Sequence, residues 1–455
     1  MKFHNLLGRC IVPSIVLLPA SAQSAHDLLD AVLNPSPESL HYSSYSSAIY
    51  FNATLFNQTP VAPTNYDRLE ASAKEILPRN AYDYAAGGAG LEKTVASNRQ
   101  AFDQVTYSTS PTSLHHINCP LKWNILPRVM RPVLPARNLS RVIFNRTLPA
   151  PIVMAPVGVQ TLFHPDGERA TSKVFGEEGL PFTLSTASST GFADAATSNG
   201  EGNPRWYQLY WPSDDDLTRS YLRTALAEGY EVLVLTVDTW DLGWRTRDLD
   251  RGYFPFAGGV GVQIGLEDPV AHEQLGFNAL APNATAEQLQ MASLYHVIVT
   301  SRGISPVWEN LWKLREVWGD KPIVLKGVQS VEDAELAVKW GLDGVIVSNH
   351  GGRQIDGAVG SLTTLPAIVE AVKGKLTVGF DGGIRTGADI FKALALGADF
   401  VQLGRPILWG LAHEGERGAR HVLKSLLAEF ELTVGLSGCQ SLTEVTKDLI
   451  VKTEG

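Results

Sequence analysis

Short apolar runs recur eight times between residues 150 and 405, and each run ends at a polar or Gly-rich turn. Runs of this length that break into turns are typical of buried strands. The runs that we interpret as strands are Ile152–Ala155, Phe182–Leu184, Trp206–Tyr210, Val232–Leu235, Ile323–Leu325, Gly344–Val347, Leu376–Phe380 and Phe400–Leu403. Between them the apolar residues recur with the helical period. This pattern predicts helices near residues 167–178, 191–198, 214–228, 330–341, 363–373, 387–396 and 415–430.

Strands that alternate with helices pair in parallel, and eight such units close a (β/α)8 TIM barrel, an α/β fold. The alternative is an open doubly wound sheet, in which functional residues cluster at one switch point. Here polar residues follow nearly every strand, which favours the barrel. A helical segment that starts at Tyr66 precedes the barrel, and a long loop from Thr239 to Pro306 separates the fourth strand from its helix. A connection of that length is usually a lid or a disordered loop.

The N-terminal segment resembles a secretory signal peptide. It carries Lys2 and Arg9, a mostly apolar run at 11–18, and a small-residue cleavage site at 20–22. The apolar run is too short for a membrane span, which needs about 20 apolar residues. Asn-x-Ser/Thr sequons follow at Asn52, Asn57, Asn138, Asn145 and Asn283. We therefore expect a glycoprotein that is secreted or lies in the secretory pathway.

The chain divides into four predicted segments. These are a signal peptide at 1–22, an extended N-terminal arm at 23–65, the barrel domain at 66–442 and a C-terminal tail at 443–455. Cys10 would leave with the signal peptide, so the mature chain keeps Cys119 and Cys439. These two cysteines form either a disulfide or two buried thiols, and a fold of this size does not need a disulfide for its stability.

Composition narrows the class of partner. The 455 residues are 44% hydrophobic and 19% charged, so the chain can bury a large core. The net charge is −9 and no long basic run is present. Both features argue against nucleic acid or an anionic membrane surface as the main partner. A small-molecule ligand is therefore the expected partner.

The stretch Ser348–Asp356 reads Ser-Asn-His-Gly-Gly-Arg-Gln-Ile-Asp and follows the strand Gly344–Val347 directly. His350 and Arg353 therefore lie just past the C-terminal end of a barrel strand. Histidine moves protons near neutral pH, and arginine holds a carboxylate with two parallel hydrogen bonds. Together they indicate proton abstraction from a substrate that carries a carboxylate. By itself, this spacing favours a structural histidine beside a surface arginine, and the rest of the chain reverses that interpretation.

The last two barrel strands end in a predicted phosphate site. Asp381–Gly387 reads Asp-Gly-Gly-Ile-Arg-Thr-Gly, and Gly404-Arg405-Pro406 follows the next strand. Loops after the seventh and eighth strands are the usual phosphate site of this barrel. Lys326 ends the fifth strand within an apolar run, so its ammonium group should point into the barrel mouth. A fixed cation there can stabilise an anion that develops on a cofactor ring.

Taken together, these motifs resemble the FMN-dependent 2-hydroxy acid oxidoreductases. Gln208-Leu209-Tyr210 and Thr236-Val237-Asp238-Thr239 belong to the same resemblance, which runs from about Tyr66 to about Leu442. The family includes glycolate oxidase, lactate oxidase, lactate 2-monooxygenase and flavocytochrome lactate dehydrogenase, and the motifs are most similar to the lactate 2-monooxygenase branch. The resemblance implies FMN as the cofactor, a 2-hydroxy acid and O2 as small-molecule partners, and a homotetramer.

The resemblance also implies roles for individual residues. His350 would be the catalytic base, Asp238 would pair with it, and Tyr210 would hydrogen-bond the substrate oxygen. Tyr84, Arg245 and Arg353 would bind the substrate carboxylate. The residues that would bind FMN are Pro156, Val157, Gly158, Ser185, Gln208, Thr236, Lys326, Ser348, Asp381, Gly382, Gly383, Arg385, Gly404 and Arg405. No metal ligands are implied.

Two positions depart from the glycolate oxidase pattern. Gly158 replaces the alanine that many oxidases place beside the flavin, and the monooxygenase branch has glycine there. Ala187 stands where glycolate oxidases have a bulky aromatic residue, which leaves room for a larger group on the substrate. The stretch 239–248 and the long loop around it also resemble the monooxygenase branch. A loop that retains the products would allow oxidative decarboxylation before release.

The leading hypothesis is FMN-dependent oxidation of an (S)-2-hydroxy acid to the 2-keto acid with O2 as electron acceptor, with or without oxidative decarboxylation. The sequence has no haem-attachment Cys-x-x-Cys-His motif, so oxygen is the simplest acceptor. The alternatives are an oxidoreductase of a specialised biosynthetic pathway that acts on a larger hydroxy acid, an FMN-dependent isomerase, and a catalytically silent flavin-binding protein.

Overall fold

The apolar runs form strands because their β-branched and aromatic side chains pack against both faces of a sheet. The structure is a computed structural model that describes residues 41–103, 121–133, 137–301 and 303–454. Its strands are Leu121–Ile125 (β1), Arg141–Ile143 (β2), Arg146–Leu148 (β3), Ile152–Met154 (β4), Phe182–Ser185 (β5), Arg205–Leu209 (β6), Val232–Thr236 (β7), Ile323–Val328 (β8), Gly344–Val347 (β9), Thr377–Phe380 (β10), Phe400–Leu403 (β11) and Ile450–Glu454 (β12).

The eight strands β4 to β11 form the predicted parallel barrel. Each strand pairs with the next in sequence from β5 to β11, and β11 pairs in parallel with β4. The remaining gap lies between β4 and β5, where the Met154 N–H donates to the carbonyl of Pro181 at 2.9 Å. The eight strands therefore enclose a TIM barrel that is nearly closed by hydrogen bonds.

The helices follow the amphipathic stretches of the sequence. In the described part of the chain they are Ser44–Phe56 (α1), Tyr66–Ile76 (α2), Arg79–Ala86 (α3), Lys93–Asp103 (α4), Gly167–Glu177 (α5), Phe192–Asn199 (α6), Asp215–Ala227 (α7), Thr246–Leu249 (α8), Gln263–Glu267 (α9), Pro269–Leu275 (α10), Ala286–Thr300 (α11), Leu311–Trp318 (α12), Val331–Lys339 (α13), Ser361–Val372 (α14), Gly387–Ala395 (α15), Arg405–Glu414 (α16) and Glu416–Leu436 (α17).

Capping residues explain where several of these helices begin. The Asp214 side chain accepts the Leu217 N–H at 2.8 Å and starts α7. Thr386 and Asp389 form a reciprocal capping box at the start of α15. Such caps satisfy backbone N–H groups that have no partner inside the helix. They fix α15 directly after the predicted phosphate loop.

The base of the barrel is closed by the hairpin of β2 and β3. Its two turn residues, Phe144 and Asn145, have positive φ angles of 47° and 62°, as a tight hairpin turn requires. The Phe144 ring packs edge-on against Trp206 at 5.7 Å and Phe400 at 6.4 Å between ring centres. The N-terminal mouth is thus filled with apolar side chains, which leaves the opposite mouth for chemistry.

Two of the predicted segments are partly wrong. Ser44–Phe56, within the predicted extended arm, is the helix α1. The hydrophobic pattern missed this helix because polar contacts hold it: the Ser43 N–H donates to the buried Glu431 carboxylate at 2.6 Å, and the Tyr45 hydroxyl bonds His421 at 2.9 Å. Part of the predicted tail is the strand β12, which pairs with β1. That pairing joins segments too far apart in sequence for a local pattern to reveal.

The long connection after β7 is structured, contrary to the expectation of a loop. It contains the helices α8 to α11 before α12 completes the fourth barrel unit. We call the segment 239–306 the insertion. The predicted signal peptide and Cys119 lie outside the described residues, so the state of Cys119 stays open. Cys439 is buried.

Candidate active site

Residues two apart on a strand share a face, and the inward-facing residues of the barrel change from apolar at the base to polar at the mouth. The base members pack together in one cluster with the β2–β3 hairpin. Polar side chains follow them on the same face, so these side chains converge at the C-terminal strand ends, where TIM barrels place their sites. Along each strand, from base to mouth, the inward-facing residues are Trp206, Gln208 and Tyr210; Val234, Thr236 and Asp238; Val324 and Lys326; Ile346, Ser348 and His350; and Phe400, Gln402 and Gly404.

His350 is held by the local backbone and by its neighbours. It has a left-handed φ of 57°, which is uncommon outside glycine, and Gly351 and Gly352 continue the turn with positive φ. The His350 N–H donates to the Ser348 hydroxyl at 3.1 Å. This turn directs the imidazole into the barrel mouth.

The two ring nitrogens of His350 have different surroundings. Nδ1 lies 2.8 Å from Asp238 Oδ1 and 2.8 Å from the Thr239 hydroxyl, whereas Nε2 lies 3.5 Å from the Tyr210 hydroxyl. The Asp238 carboxylate fixes the proton on Nδ1, so the lone pair of Nε2 faces the cavity. His350 is thereby arranged to accept a proton through Nε2.

Burial and the ion pair act in opposite directions on this dyad. Burial lowers the pKa of His350 below its ordinary value, although the Asp238 carboxylate opposes this effect. Burial works to raise the pKa of Asp238, but the His350 imidazole and the Lys326 ammonium group outweigh it and hold that pKa at about 2. His350 is therefore neutral near pH 7, as a base must be, while Asp238 is charged and favours the imidazolium that forms.

Two arginines and a tyrosine line the cavity beside His350. The Arg353 guanidinium donates to the carbonyls of Tyr84 and Gly87 and lies 4.8 Å above the Tyr84 ring. Arg245 donates to Gln354 Oε1 at 3.2 Å. Asp248 acts electrostatically on both arginines, but within the described ranges no carboxylate lies at ion-pair distance from either of them. Burial and the nearby Arg245 lower the pKa of Arg353 to about 9, which still leaves it cationic at neutral pH. Arg245 is buried and Arg353 is partly buried, and two neighbouring cations with no direct ion pair form a site that suits an anion.

Lys326 belongs to a second buried network. Its ammonium group lies 3.2 Å from Asp381 Oδ2 and donates to the Ser348 hydroxyl at 3.0 Å, and that hydroxyl donates to Asp381 Oδ1 at 2.6 Å. Burial would lower the pKa of Lys326, but the carboxylates of Asp381 and Asp238 outweigh it and raise that pKa. The strand-end ammonium group is therefore a permanent cation at the cavity wall.

The predicted phosphate site also has arginines without acidic partners. The Arg385 guanidinium stacks 4.4 Å from the Tyr66 ring, and its buried Nε has no hydrogen-bond partner among the described residues. Arg405 donates to the backbone carbonyls of Ala85, Gly87 and Gly351. Burial and the nearby Arg385 lower the pKa of Arg405 to about 10. The position and charge of this pair suit an anion such as a phosphate group.

Polar atoms left unpaired inside the barrel mouth indicate a bound polar ring. Among the described residues, no hydrogen-bond partner is found for Gln208 Nε2, Thr236 Oγ1 or either amide atom of Gln402. Ser185 orients Gln208 by donating to its Oε1 at 2.7 Å. Buried polar groups are rarely left unsatisfied, so these groups suit a ligand that has both donors and acceptors.

Most of the predicted site residues line one cavity of about 180 Å³ at the barrel mouth. Four do not: Asp238 lies behind His350, Ser348 lies behind Lys326, and Gln208 and Thr236 are buried inside the barrel. The structure therefore brings the predicted residues together. Their individual roles stay predictions.

Sequence reasoning missed several residues of this cavity. Gln402 lies inside the apolar strand β11, and Thr239 contacts both members of the dyad. A polar residue in the middle of a buried strand was the available signal for Gln402. The insertion contributes further lining residues that carry no local signal, namely Leu242, Phe256, Gly261, His296, Val297, Thr300 and Ser301.

The barrel brings together around one cavity a histidine whose Nε2 faces the cavity, arginines without a direct ion pair among the described residues, and unpaired polar side chains. Such a site suits an enzyme that binds a cofactor. Comparison identifies its family: residues 73–452 match the model of the FMN-dependent dehydrogenases. The chain belongs to this family, which oxidises 2-hydroxy acids with FMN.

Individual relatives agree with this assignment. The chain is 42% identical over 412 residues to an FMN-dependent alpha-hydroxy acid dehydrogenase of Penicillium citrinum, covering 90% of this chain and 96% of that protein. It is 36% identical to the 4-hydroxymandelate oxidase of Amycolatopsis orientalis over 82% of this chain and 94% of the relative. A crystal structure of mandelate oxidase superposes with a TM-score of 0.69 and 33% identity, covering 87% of this chain and 99% of that one.

The residues present fit FMN. The unpaired groups of Gln208, Thr236 and Gln402, with the ammonium group of Lys326, can satisfy the polar edge of the flavin ring. Arg385 and Arg405, beside the Gly-rich loop, can hold the phosphate.

Proposed function

We propose that this protein oxidises an (S)-2-hydroxy acid to the 2-keto acid and transfers the electrons to O2. The observation that carries the proposal is the His350–Asp238 dyad, whose Nε2 faces the cavity beside Arg353 and Arg245. A base next to an anion site matches a substrate whose carboxylate is attached to the reacting carbon.

Each residue has a separate task in this proposal. Arg353 and Arg245 hold the carboxylate, the Tyr210 hydroxyl orients the substrate oxygen, and His350 accepts one proton. FMN, when bound, accepts the two electrons. The substrate loses two electrons and two protons in total, and O2 takes up both to give hydrogen peroxide. The charged Asp238 stabilises the imidazolium, and Lys326 supplies positive charge at the wall where the flavin gains electrons.

We further propose a substrate with a side chain larger than that of glycolate. Ala187 lines the cavity with only a methyl group, and the insertion adds the apolar side chains of Leu242, Phe256 and Val297 to the wall. Apolar walls around a few polar groups are typical of sites that bind an organic side chain. The names of relatives that act on mandelate or 4-hydroxymandelate agree with this size class.

Oxidative decarboxylation is a second candidate outcome. The insertion forms part of the cavity wall through α11, so it could retain the keto acid and the peroxide together. Their reaction would give a carboxylic acid with one carbon fewer, CO2 and water. The yield of CO2 per substrate distinguishes this outcome from a simple oxidase.

One substrate screen tests both proposals. Purified holoenzyme is mixed without oxygen with glycolate and with both enantiomers of lactate- and mandelate-sized 2-hydroxy acids, and loss of the flavin absorbance is recorded. In air, peroxide and CO2 are measured per substrate consumed. We expect the (S)-enantiomer of a larger acid to bleach the flavin fastest. If no 2-hydroxy acid bleaches the flavin, the proposed function is wrong.

We also propose that the protein passes through the secretory pathway and assembles as a homotetramer. The side chains of Asn57, Asn138, Asn145 and Asn283 are exposed, which supports access by a glycosyltransferase. In the described part of the chain, no helix combines the length and hydropathy that a membrane crossing needs. Light scattering on the purified protein tests the tetramer.

A further inference from the structure

Glu168 is a buried acidic residue that the site described above does not use. It lies in the first turn of α5 and has no exposed surface. Within residues 137–301 and the other described ranges, no cation forms an ion pair with it, and burial raises its pKa. Burying a carboxylate without a cation is unfavourable, so its hydrogen bonds must compensate.

Those hydrogen bonds come from two different loops. The Glu168 carboxylate accepts the Gln160 N–H at 3.1 Å, the Ser189 N–H at 3.0 Å and the Thr190 hydroxyl at 3.1 Å. Gln160 belongs to the loop after β4, and the other two donors belong to the loop after β5. The Gln160 side chain also donates to the Val157 carbonyl at 2.8 Å, so this network reaches the cavity wall.

The two loops meet at the part of the wall that departs from the glycolate oxidase pattern. The Val159 N–H donates to the Ala187 carbonyl at 2.9 Å. A Cβ atom at Gly158 would lie 2.1 Å from that same carbonyl oxygen, so only glycine permits this approach. Val159 adopts a left-handed φ of 51°, which is rare for a β-branched residue and persists only when its surroundings hold it.

We propose that Glu168 is a positioning residue that joins the two loops and thereby sets the position of Gly158 and Ala187 at the cavity wall. Through these residues it controls the surroundings of the flavin and the space for the substrate side chain. The inference rests on the proposed function, because it assumes that this cavity binds a 2-hydroxy acid beside FMN. Glu168 itself does not touch the substrate.

Three variants separate positioning from general stability. Glu168→Gln keeps the shape of the side chain but replaces one acceptor oxygen by an amide that faces backbone donors. Thr190→Val removes one donor at nearly constant shape. Ser172→Ala is the matched control, because Ser172 is buried in the same helix but its hydroxyl donates to the Ala195 carbonyl of α6 at 2.7 Å rather than to either loop.

The readouts are the visible absorption spectrum of bound FMN, the dissociation constant of a non-reacting 2-keto acid, and the Tm. We expect Glu168→Gln to shift the flavin spectrum and to weaken keto acid binding about tenfold, because the two loops that carry Gly158 and Ala187 are no longer held together. Thr190→Val should shift the flavin spectrum in the same direction and weaken keto acid binding by about twofold to fivefold. Ser172→Ala should lower only the Tm.

The inference is overturned if Glu168→Gln lowers the Tm while the flavin spectrum and the keto acid affinity stay at wild-type values. If Glu168→Gln does not fold, Thr190→Val decides in the same way. Failure of the proposed function is distinguishable, since wild-type holoenzyme would then not be reduced by any 2-hydroxy acid. If a 2-hydroxy acid reduces the wild-type enzyme but the variants keep the wild-type flavin spectrum and keto acid affinity, only the role of Glu168 is wrong.

Discussion

At the scale of single residues, the His350 imidazole has one nitrogen available to the cavity, because Asp238 and Thr239 occupy the other. His350→Gln should keep the fold and the cofactor but slow anaerobic flavin reduction by roughly 10²–10⁴-fold, the usual contribution of a general base. Stopped-flow absorbance measures this rate. His164→Gln, at a partly exposed histidine that pairs with Asp166, is the control and should reduce at the wild-type rate. If His350→Gln reduces the flavin at the wild-type rate, His350 is not the general base.

Asp238 should set the pH dependence of the reaction. Its charge raises the pKa of His350 against the effect of burial, so Asp238→Asn should lower that pKa further. Because neutral His350 is the active form, the acid limb of the kcat/KM profile should move to lower pH. The plateau should fall by roughly tenfold or more, since the imidazolium loses its partner. A pH profile of the variant from pH 4 to 9 checks both effects, and a limb that moves to higher pH would contradict the assignment.

Arg385 should contribute to cofactor affinity rather than to chemistry. Its unpaired Nε and its position in the Gly-rich loop suit the FMN phosphate. Loss of a hydrogen bond to a charged group costs about 1.5–3 kcal/mol, so Arg385→Ala should weaken FMN binding by roughly 10–100-fold. Fluorescence titration of the apoprotein measures this constant. Arg169→Ala, at an exposed ion pair with Asp194, serves as the control. Wild-type affinity in Arg385→Ala would place the phosphate elsewhere.

At the scale of elements, the apolar runs and the polar turns that end them account for most of what the sequence could predict. Although Gln402 inside β11 was missed, side chains at strand ends such as Lys326 and His350 were predictable, because each follows an apolar run. The helix α1 was not, because contacts with Glu431 and His421 hold it rather than an apolar face. The sequence did not predict either that the insertion forms part of the cavity wall, because the residues that it packs against are distant in sequence.

The contact between the loops after β4 and β5 changes what a substitution at Gly158 can show. Added methyl groups in tight contacts typically destabilise by about 1–3 kcal/mol. Because its Cβ would lie 2.1 Å from the Ala187 carbonyl oxygen, Gly158→Ala should displace that loop and lower the Tm. Differential scanning calorimetry tests this. An unchanged Tm would mean that the loop adapts without strain, and only then would the variant report on the oxidase outcome alone.

Ala187→Trp should alter substrate preference. A buried aromatic side chain covers about 150–250 Å² of surface, so it should fill the space that a large substrate group needs. Ala187 lines the same cavity as His350 and Arg353. We expect kcat/KM for mandelate-sized acids to fall. The ratio of kcat/KM for glycolate to that for mandelate-sized acids should therefore rise. Ala187→Ser, which adds one atom, is the control and should keep the wild-type order. If Ala187→Trp keeps the wild-type order of substrates by kcat/KM, the residue at position 187 does not contact the substrate side chain.

At the scale of the whole molecule, the surface carries the features that bear on cellular location. The net charge of −9 argues against a nucleic acid partner, whereas exposed sequons suit passage through the secretory pathway. Asn145 lies at the tip of the β2–β3 hairpin, at the end of the barrel opposite the cavity. A glycan there would leave the active-site mouth free.

Expression of the full chain in a eukaryotic host should therefore yield a glycoprotein in the medium, because the signal-like start would direct it to the enzymes that modify sequons. Treatment with an endoglycosidase should reduce its mass, and Asn145→Gln should remove the mass of one glycan without loss of flavin reduction. The control is the chain from residue 23 onward, expressed without the N-terminal segment, which should stay inside the cell and carry no glycan. If the full chain also stays inside the cell with its unmodified mass, the secretory location is wrong while the assignment of the active site is unaffected.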